Sequence, residues 1–291
     1  MEISNPQSMS KGKQPMVLGK KDLMDLMSQY HIKPSKSLGQ NFVIDPNTIH
    51  RIIRAADIQP GDQIVEIGPG LGSLTSELSK LGKVVAIEFD RFLLPAISDV
   101  LKLRGIEKNV EILHADAMSI SWPEFFSQRS GSWKMISNLP YNIASPLLIT
   151  LLEEAPEISE ILVMVQKEVA ERFAATPRTS AYGIPSVKSQ LLAEVTIVGK
   201  VSPEVFYPKP RVDSALLRLK RRTIHEPVDQ EAFNLLLRKA FTQRRKMIRK
   251  SIGKELAPST LRKIEVDPKS RPEELTVAQW VTLANSLDTN K

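Results

Sequence analysis

The feature that most constrains the fold is a regular alternation of short β-rich runs with helix-like segments. The runs are Gln63–Ile67, Val84–Glu88, Val110–His114, Met135–Leu139 and Ile161–Val165. The helix-like segments between them include Leu71–Lys80, Phe92–Arg104 and Ser145–Glu154. Strand and helix repeated in this order predict an α/β fold, a Rossmann-like parallel sheet with helices on both faces.

The next part of the chain departs from this alternation. Helical stretches near Lys167–Ala175 and Val187–Ala193 precede two extended runs, Val195–Val201 and Ser214–Leu219. Because no helix separates these two runs, we expect an antiparallel hairpin at the sheet edge. The connection between them holds three prolines, which predicts a stiff loop.

Beyond Lys220 the pattern is helical only and ends in Val277–Leu287. We therefore predict three parts: a flexible tail at 1–20, an α/β domain at 21–219 and a small all-helical C-terminal domain at 220–291. Charge supports the second boundary, because residues 1–219 carry 24 basic and 24 acidic side chains and residues 220–291 carry 16 and 9. A neutral body with a basic end suggests an anionic partner, nucleic acid first.

Composition excludes several classes of protein. The chain has no cysteine, so it has neither disulfides nor thiolate metal sites. No apolar run reaches the roughly 20 residues of a membrane span, and no secretory leader is recognisable. We expect a cytoplasmic protein that acts as a monomer, away from membranes.

A glycine-rich turn follows the first run, in Gly68-Pro69-Gly70-Leu71-Gly72. Glycines there permit a sharp turn and let a ligand approach the backbone at a helix start. A dinucleotide-binding loop would have Gly or Ala at the position of Ser73. On its own, this loop is equally compatible with a simple tight strand–helix turn.

Two acidic residues follow the next two runs. Glu88 ends the second run, 20 residues after Gly68, where a carboxylate can accept both hydroxyls of a ribose. Asp116 follows the third run and is placed to accept a hydrogen bond from an adenine amino group. Three successive strand ends suited to one nucleoside predict a nucleoside site at the carboxyl edge of the sheet.

The fourth run ends in Asn138-Leu139-Pro140-Tyr141. Pro140 forces Leu139 into an extended conformation and has no N–H, which leaves nearby carbonyls free as acceptors. The Asn138 amide oxygen and the Leu139 carbonyl can then take the hydrogens of an NH₂ group, and Tyr141 offers a flat face to an extruded base. Phe206, in the stiff loop, is a candidate second aromatic wall, and Lys209 and Arg211 are candidate phosphate contacts.

Taken together, the motifs resemble those of the ribosomal RNA adenine N6-dimethyltransferase family, and are most similar to its bacterial small-subunit members. The resemblance runs from about Lys33 to Leu219. Its motifs are Ser37-Leu38-Gly39-Gln40-Asn41-Phe42, Glu66-Ile67-Gly68-Pro69-Gly70-Leu71-Gly72, Ile87-Glu88, Asp116-Ala117, Asn138-Leu139-Pro140-Tyr141-Asn142, Gln166-Lys167-Glu168-Val169 and Phe206-Tyr207-Pro208-Lys209-Pro210. The chain departs from the family at Ile184-Pro185, where a varied residue and Leu are usual.

The resemblance implies an enzyme that uses S-adenosylmethionine, without a metal, to dimethylate two adjacent adenines near the 3′ end of small-subunit ribosomal RNA in a pre-ribosomal particle. It implies catalytic roles for Asn138, Leu139, Pro140, Tyr141 and Phe206. It also implies that the methyl donor is lined by Asn41, Val43, Gly68, Glu88, Asp116 and Asn138.

A basic stretch in residues 233–252 is the predicted RNA-binding surface. It contains seven basic side chains and no acid, while apolar residues recur at near-helical spacing. One face of a helix could then pack while the other follows phosphates. A solvated helix surface is the plainer interpretation. With the stiff loop, the predicted RNA contacts are Lys209, Arg211, Arg238, Arg244, Arg245 and Arg249.

Three other functions remain open on the sequence. A large-subunit RNA adenine methyltransferase of the antibiotic-resistance type shares most motifs. A non-catalytic RNA-binding or ribosome assembly factor could retain the fold, although the set of Glu88, Asp116 and Asn138 favours activity. Ser73 and the Asn138–Tyr141 motif oppose a nicotinamide dehydrogenase.

Overall fold

The computed structural model describes residues 17–223, 228–253 and 255–287. Most of the predicted tail, residues 1–16, lies outside these ranges. Residues 17–20 do not match a flexible tail, because Val17 and Leu18 are buried and the first helix begins at Lys20. Leu18 packs in an apolar cluster with Leu23 and Phe42, so burial of apolar surface fixes this end of the chain.

The secondary structure follows the predicted alternation closely. The strands are β1 Phe42–Val43, β2 Gln63–Ile67, β3 Lys83–Glu88, β4 Val110–His114, β5 Trp133–Asn138, β6 Ile158–Gln166, β7 Ala193–Val201, β8 Phe206–Tyr207 and β9 Ser214–Arg221. The helices are α1 Lys20–Gln29, α2 Pro46–Ala56, α3 Ser73–Leu78, α4 Leu94–Leu103, α5 Trp122–Ser127, α6 Ala144–Glu154, α7 Lys167–Phe173, α8 Ile184–Leu192, α9 Gln230–Thr242, α10 Ile248–Ser251, α11 Pro258–Lys263 and α12 Val277–Asn285.

Among the described residues, seven strands form the central sheet in the order β4-β3-β2-β5-β6-β9-β7. The pairs from β4 to β6 are parallel, while β9 is antiparallel to both β6 and β7. The α/β fold is confirmed, and the expected hairpin of β7 and β9 forms with β7 at the sheet edge. A separate two-stranded pair joins β1 to β8.

The β2–β5 pair opens toward its carboxyl end. Its ladder covers only Gln63–Val65 and Trp133–Met135, whereas β2 stays paired with β3 as far as Ile67. Beyond the ladder, the N–H of Ile67 donates to Ser137 Oγ at 2.8 Å instead of to a backbone carbonyl. The strand order reverses direction between β2 and β5, and in open α/β sheets this switch point is where ligands bind.

The C-terminal helices share their core with the sheet domain. Phe233, Leu237 and Trp280 pack in one cluster with Tyr182 and Val187, which lie in and before α8. The packing therefore crosses the predicted boundary at residue 220. Among the helices in the described ranges, none is both long enough and apolar enough to cross a bilayer.

Candidate active site

The predicted donor and amine residues surround one cavity of about 220 Å³ at the carboxyl ends of β2 to β5. Each strand contributes from the residues that follow it: the glycine turn after β2, Glu88 at the end of β3, Asp116 after β4 and Asn138–Tyr141 after β5. Asn41 and Val43, on the segment before α2, also line the cavity. The structure thus brings together most of the residues that sequence reasoning selected, and their individual roles stay predictions.

The glycine turn makes a close approach possible that no other residue allows. Gly68 and Gly70 have φ angles of 70° and 60°, which L side chains rarely adopt. A Cβ on Gly70 would lie 2.9 Å from the Phe42 ring, and one on Gly68 would lie 3.2 Å from Pro140. The turn therefore packs directly against both of the segments that face it.

Backbone donors hold the carboxylate of Glu88 in place. The N–H of Gly70 donates to Oε2 at 3.2 Å and that of Asp90 to Oε1 at 2.8 Å. Burial raises the pKa of Glu88 to about 7, against the opposing effect of these hydrogen bonds. Each oxygen keeps a further lone pair, so the carboxylate can still accept hydrogen bonds from two hydroxyls.

Glu66 is a site residue that the sequence analysis quoted in a motif but gave no role. It is 1% exposed, lines the cavity and has no hydrogen-bond partner for Oε2 within the described part of the chain. Burial, with a smaller contribution from the charge of Glu88, raises its pKa to about 8. The signal that could have identified it is an acid inside an otherwise apolar strand, in Ile64-Val65-Glu66-Ile67.

Asp116 begins the turn after β4. Its Oδ1 accepts from the N–H of Met118 at 2.9 Å and its Oδ2 from Ser119 Oγ at 3.4 Å, so the carboxylate fixes the turn and each oxygen keeps a further lone pair. The side chain is partly exposed and lines the cavity beside Phe89 and Met118, whose side chains are 56% and 40% exposed. A polar acceptor beside apolar surface is what a purine ring with an amino group requires.

Asn138 has a fixed amide orientation with one acceptor left over. Its Nδ2 donates to the carbonyl of Asn41 at 2.9 Å, and its buried Oδ1 has no partner among the residues described. No described residue donates to the Leu139 carbonyl either, while the N–H of Leu139 donates to Met164 at 3.1 Å. Two acceptors on adjacent residues therefore remain for a ligand that carries N–H donors.

Tyr141 is held by its hydroxyl. The phenolic oxygen lies 2.6 Å from Ser214 Oγ on β9, and Ser214 is fully buried. Burial raises the pKa of Tyr141, so the phenol stays protonated. The hydrogen bond fixes the plane of a ring that lines the cavity.

Phe206, the predicted second aromatic wall, lies in the core and outside the cavity lining, and its predicted role stays a prediction. It is 2% exposed and packs in the core with Val43 and Ile49, and it is absent from the cavity lining drawn from the described residues. The reason is the β1–β8 pair, which sets Phe206 opposite Val43 and places the ring in the apolar core beneath the cavity segment.

A strap of residues 35–41 crosses the cavity. Gln40 Nε2 donates to Asp90 Oδ2 at 2.7 Å, and Gln40 Oε1 accepts from the N–H of Ser35 at 2.8 Å. At the opposite side, the strap carbonyl of Asn41 receives the Asn138 amide. The strap therefore links the segment after β3, through Asp90, to Asn138 at the end of β5.

The predicted RNA contacts differ in how free they are. Arg211, Arg238, Arg245 and Arg249 are exposed, whereas Lys209 pairs with Glu204. Arg244 pairs with Glu273 and also donates to the carbonyl of Ser180 at 2.7 Å. The basic stretch is not one helix, because α9 ends at Thr242 and α10 begins at Ile248.

The departure at Ile184-Pro185 is accommodated locally. α8 begins at Ile184, so Pro185 lies in its first turn, where a missing N–H costs no helical hydrogen bond. Ile184 packs against the C-terminal apolar cluster. The effect of Ile184-Pro185 on RNA contacts stays a question for experiment.

Within the described ranges, no group of three or more His, Asp or Glu side chains is placed to hold a metal ion.

Comparison with known proteins places this architecture among relatives. The model of a family described as "Ribosomal RNA adenine dimethylase" matches residues 32–289. A protein of Streptomyces griseus subsp. griseus named "Ribosomal RNA small subunit methyltransferase A" is 39% identical over 288 residues, 95% of this chain and 97% of that relative. One of the same name from Pelotomaculum thermopropionicum is 40% identical over 280 residues, 90% of this chain and 94% of that relative.

Solved structures agree with these matches. A dimethyladenosine transferase from Plasmodium falciparum superposes with a TM-score of 0.72 at 25% identity, covering 83% of this chain and 95% of that one. The 23S rRNA methyltransferase ErmE gives a TM-score of 0.65 at 27% identity, covering 85% of this chain and all of that one.

Proposed function

This chain belongs to the ribosomal RNA adenine dimethylase family, and we propose its function from that premise. The proposed activity is dimethylation of N6 of two adjacent adenines near the 3′ end of small-subunit ribosomal RNA in a pre-ribosomal particle, with S-adenosylmethionine as methyl donor. The observation that carries the proposal is the amide of Asn138. Its Nδ2 is committed to the Asn41 carbonyl, and its unpaired Oδ1 lines the cavity beside an unpaired Leu139 carbonyl.

The cavity residues fit such a donor. Glu88 would accept the ribose hydroxyls and Asp116 a hydrogen from the adenine amino group, and Gly68 and Gly70 of the glycine turn line the same cavity. The raised pKa of Glu66 leaves its carboxyl mostly protonated at neutral pH, and a positively charged part of the donor bound beside its unpaired oxygen would lower that pKa and favour the charged form. When bound, S-adenosylmethionine supplies a methyl group attached to a positively charged sulfur. Because of that charge, the methyl carbon is already electrophilic.

The residues of this chain then act on the target amine. Asn138 Oδ1 and the Leu139 carbonyl accept its N–H hydrogens, which turns the nitrogen lone pair out of conjugation with the ring. As positive charge grows on that nitrogen, both hydrogen bonds strengthen, so they stabilise the transition state more than the bound substrate. Tyr141, fixed by Ser214, stacks against the extruded base. The methylated nitrogen is acidic and loses its proton to water.

The second transfer to the same nitrogen restricts this grip. After one methylation, a single N–H remains, so one of the two acceptors is left without its donor. The acceptors must therefore tolerate a methyl group in the place of a hydrogen. No described residue donates a hydrogen bond to the Asn138 amide oxygen or to the Leu139 carbonyl. Either acceptor can therefore lose its ligand hydrogen without breaking a contact within the protein.

A large-subunit activity is the second candidate, because ErmE shares the fold over 85% of this chain. The small-subunit relatives match at 39% and 40% identity over nine-tenths or more of the chain, against 27% for ErmE. This difference favours the small subunit. A non-catalytic assembly factor would have no need for the unpaired acceptor of Asn138.

The decisive experiment supplies isotopically labelled S-adenosylmethionine to unmethylated small-subunit and large-subunit particles separately. Mass mapping of the RNA then locates N6-dimethyladenine. We expect dimethylation of two adjacent adenines in the small subunit only, and none with Asn138→Ala. Label in the large subunit alone would establish the second candidate, and donor binding without transfer to either particle would favour the assembly factor.

A further inference from the structure

The loop between α7 and α8, residues 174–183, is held by the C-terminal helical region at several points. Arg244 donates from Nη2 to the carbonyls of Ser180 at 2.7 Å and Thr179 at 3.3 Å. The hydroxyl of Tyr182 donates to the carbonyl of Leu275 at 2.8 Å, and its ring is fully buried. A surface loop of ten residues is thus fixed along most of its length.

Arg178 lies within this fixed loop in an unusual conformation. Its φ angle is 72°, in the left-handed region that costs about 1 kcal/mol or more for residues other than glycine. Its N–H donates to the backbone carbonyl of Glu273 at 2.7 Å. The carboxylate of Glu273 in turn pairs with Arg244, so one acidic residue secures both the loop backbone and the arginine that grips it.

The side chain that this arrangement presents is free. Arg178 is exposed, and its guanidinium has no hydrogen bond or ion pair within the described part of the chain. By contrast, Arg244 is committed to the loop, although it stands in sequence beside the exposed Arg245 and Lys246. The loop contact of Arg244 therefore joins the segment that carries Arg178 to the segment that carries Arg245 and Lys246.

We infer that Arg178 is a phosphate contact for the RNA substrate, presented by the loop 174–183, and that Arg244 and Glu273 form the clamp that positions it rather than contacting RNA. This inference rests on the proposed function, since it takes the substrate to be RNA. It extends the binding surface from the helical region onto the sheet domain, along the seam between them. A planar guanidinium with five donors suits a phosphate, and a fixed backbone reduces the entropy lost on binding.

The first test removes the charge without straining the loop. Asparagine tolerates the left-handed conformation, so Arg178→Asn should fold normally and retain donor binding. We expect roughly threefold to tenfold weaker binding to small-subunit particles at about 0.15 M salt, and a salt-dependence slope smaller by about 1. The matched control is Lys108→Asn, an exposed cation at the opposite edge of the sheet, which should change neither.

The second test distinguishes a clamp from general electrostatic attraction by the direction in which the affinity for RNA changes. Glu273→Gln makes the protein more positive, so a purely electrostatic surface would bind RNA more tightly. A clamp predicts weaker binding instead, because Arg244 and the loop lose their anchor. Glu265→Gln makes the same charge change at an exposed position in the helical region and should not weaken binding. Thermal unfolding and donor calorimetry on each variant verify that it is folded.

The outcomes separate the two levels of the argument. Weaker particle binding in both Arg178→Asn and Glu273→Gln, with Arg178→Lys between Arg178→Asn and the wild type because it keeps the charge but not the guanidinium, supports the inference. If the wild type methylates small-subunit particles and both variants bind like their controls, the inference is overturned while the proposed function stands. If the wild type neither binds nor methylates those particles, the proposed function itself fails.

Discussion

The cavity at the sheet edge and the helical region after β9 differ in how their polar and charged side chains are satisfied. In the cavity, Glu66 and Asn138 are enclosed and each keeps an oxygen without a partner. In the helical region, basic side chains are either exposed, as Arg245 is, or paired with an acid, as Arg244 is with Glu273. An unsatisfied oxygen on a residue that lines a cavity is a candidate ligand contact, whereas an ion pair serves structure and an exposed charge serves long-range attraction.

The strongest test of this contrast is at Asn138. Replacing it with alanine removes the unpaired acceptor, and we expect roughly a 100-fold or larger loss of the methyl-transfer rate, as for other polar transition-state contacts. Donor affinity, measured by calorimetry, should change much less than the rate measured in a single turnover. Asn142→Ala is the control, since Asn142 also lines the cavity but is exposed, and its side chain has just one hydrogen bond to the described residues, to the Ser37 carbonyl at 3.4 Å. Equal losses in both variants would remove the special role of Asn138.

The next test uses the enclosed acids. The pKa values of Glu66 and Glu88, about 8 and about 7, lie above those of exposed glutamates. At these two groups the folded state therefore binds more protons than the unfolded state, so their contribution to stability falls as pH rises from about 4.5 to 8. A single such group contributes a slope of at most about 1.4 kcal/mol per pH unit. In thermal unfolding without ligand, Glu66→Gln should flatten this decline, and an unchanged slope would contradict the enclosed state of Glu66.

The smallest effect distinguishes two neighbouring arginines. Arg245→Ala should weaken particle binding roughly threefold and reduce the salt slope by about 1, with no change in thermal stability. Arg244→Ala should lower the free energy of unfolding by about 1 kcal/mol, since it loses a partly buried charge-assisted contact. Unfolding curves and binding titrations on the same preparations measure both quantities. Identical behaviour of the two variants would erase the distinction between clamp and surface.

The sequence predicted the sheet and the location of the cavity because both depend on local order along the chain. Strand ends in a parallel sheet meet at one edge, so Glu88, Asp116 and Asn138 could be brought together without any distance being known. The hairpin of β7 and β9 followed from the missing helix in the same way. These inferences need only the succession of elements.

The contacts that depend on tertiary packing were not predictable. α5 was overlooked because Trp122–Ser127 spans fewer than two turns, so the helical spacing of Trp122, Phe125 and Phe126 extends over too few residues to be recognised. Phe206 was assigned to the cavity, but its pairing with Val43 places it in the core, and a two-residue strand leaves no sequence pattern. The role of Arg244 was equally hidden, because Ser180 and Glu273 are distant in sequence and only the fold brings them to it.

The packing of α8 against both regions has a consequence for how the molecule comes apart. Leu192 at its end contacts the cores of both the sheet and the C-terminal helices, and Tyr182 and Val187 belong to the apolar cluster that contains the C-terminal helices. A chain truncated at residue 220 would therefore expose a continuous apolar surface on and before α8. We expect such a truncated protein to aggregate and not to remain folded and active. Heating the intact protein should accordingly melt it in one step, with sheet and helices lost together.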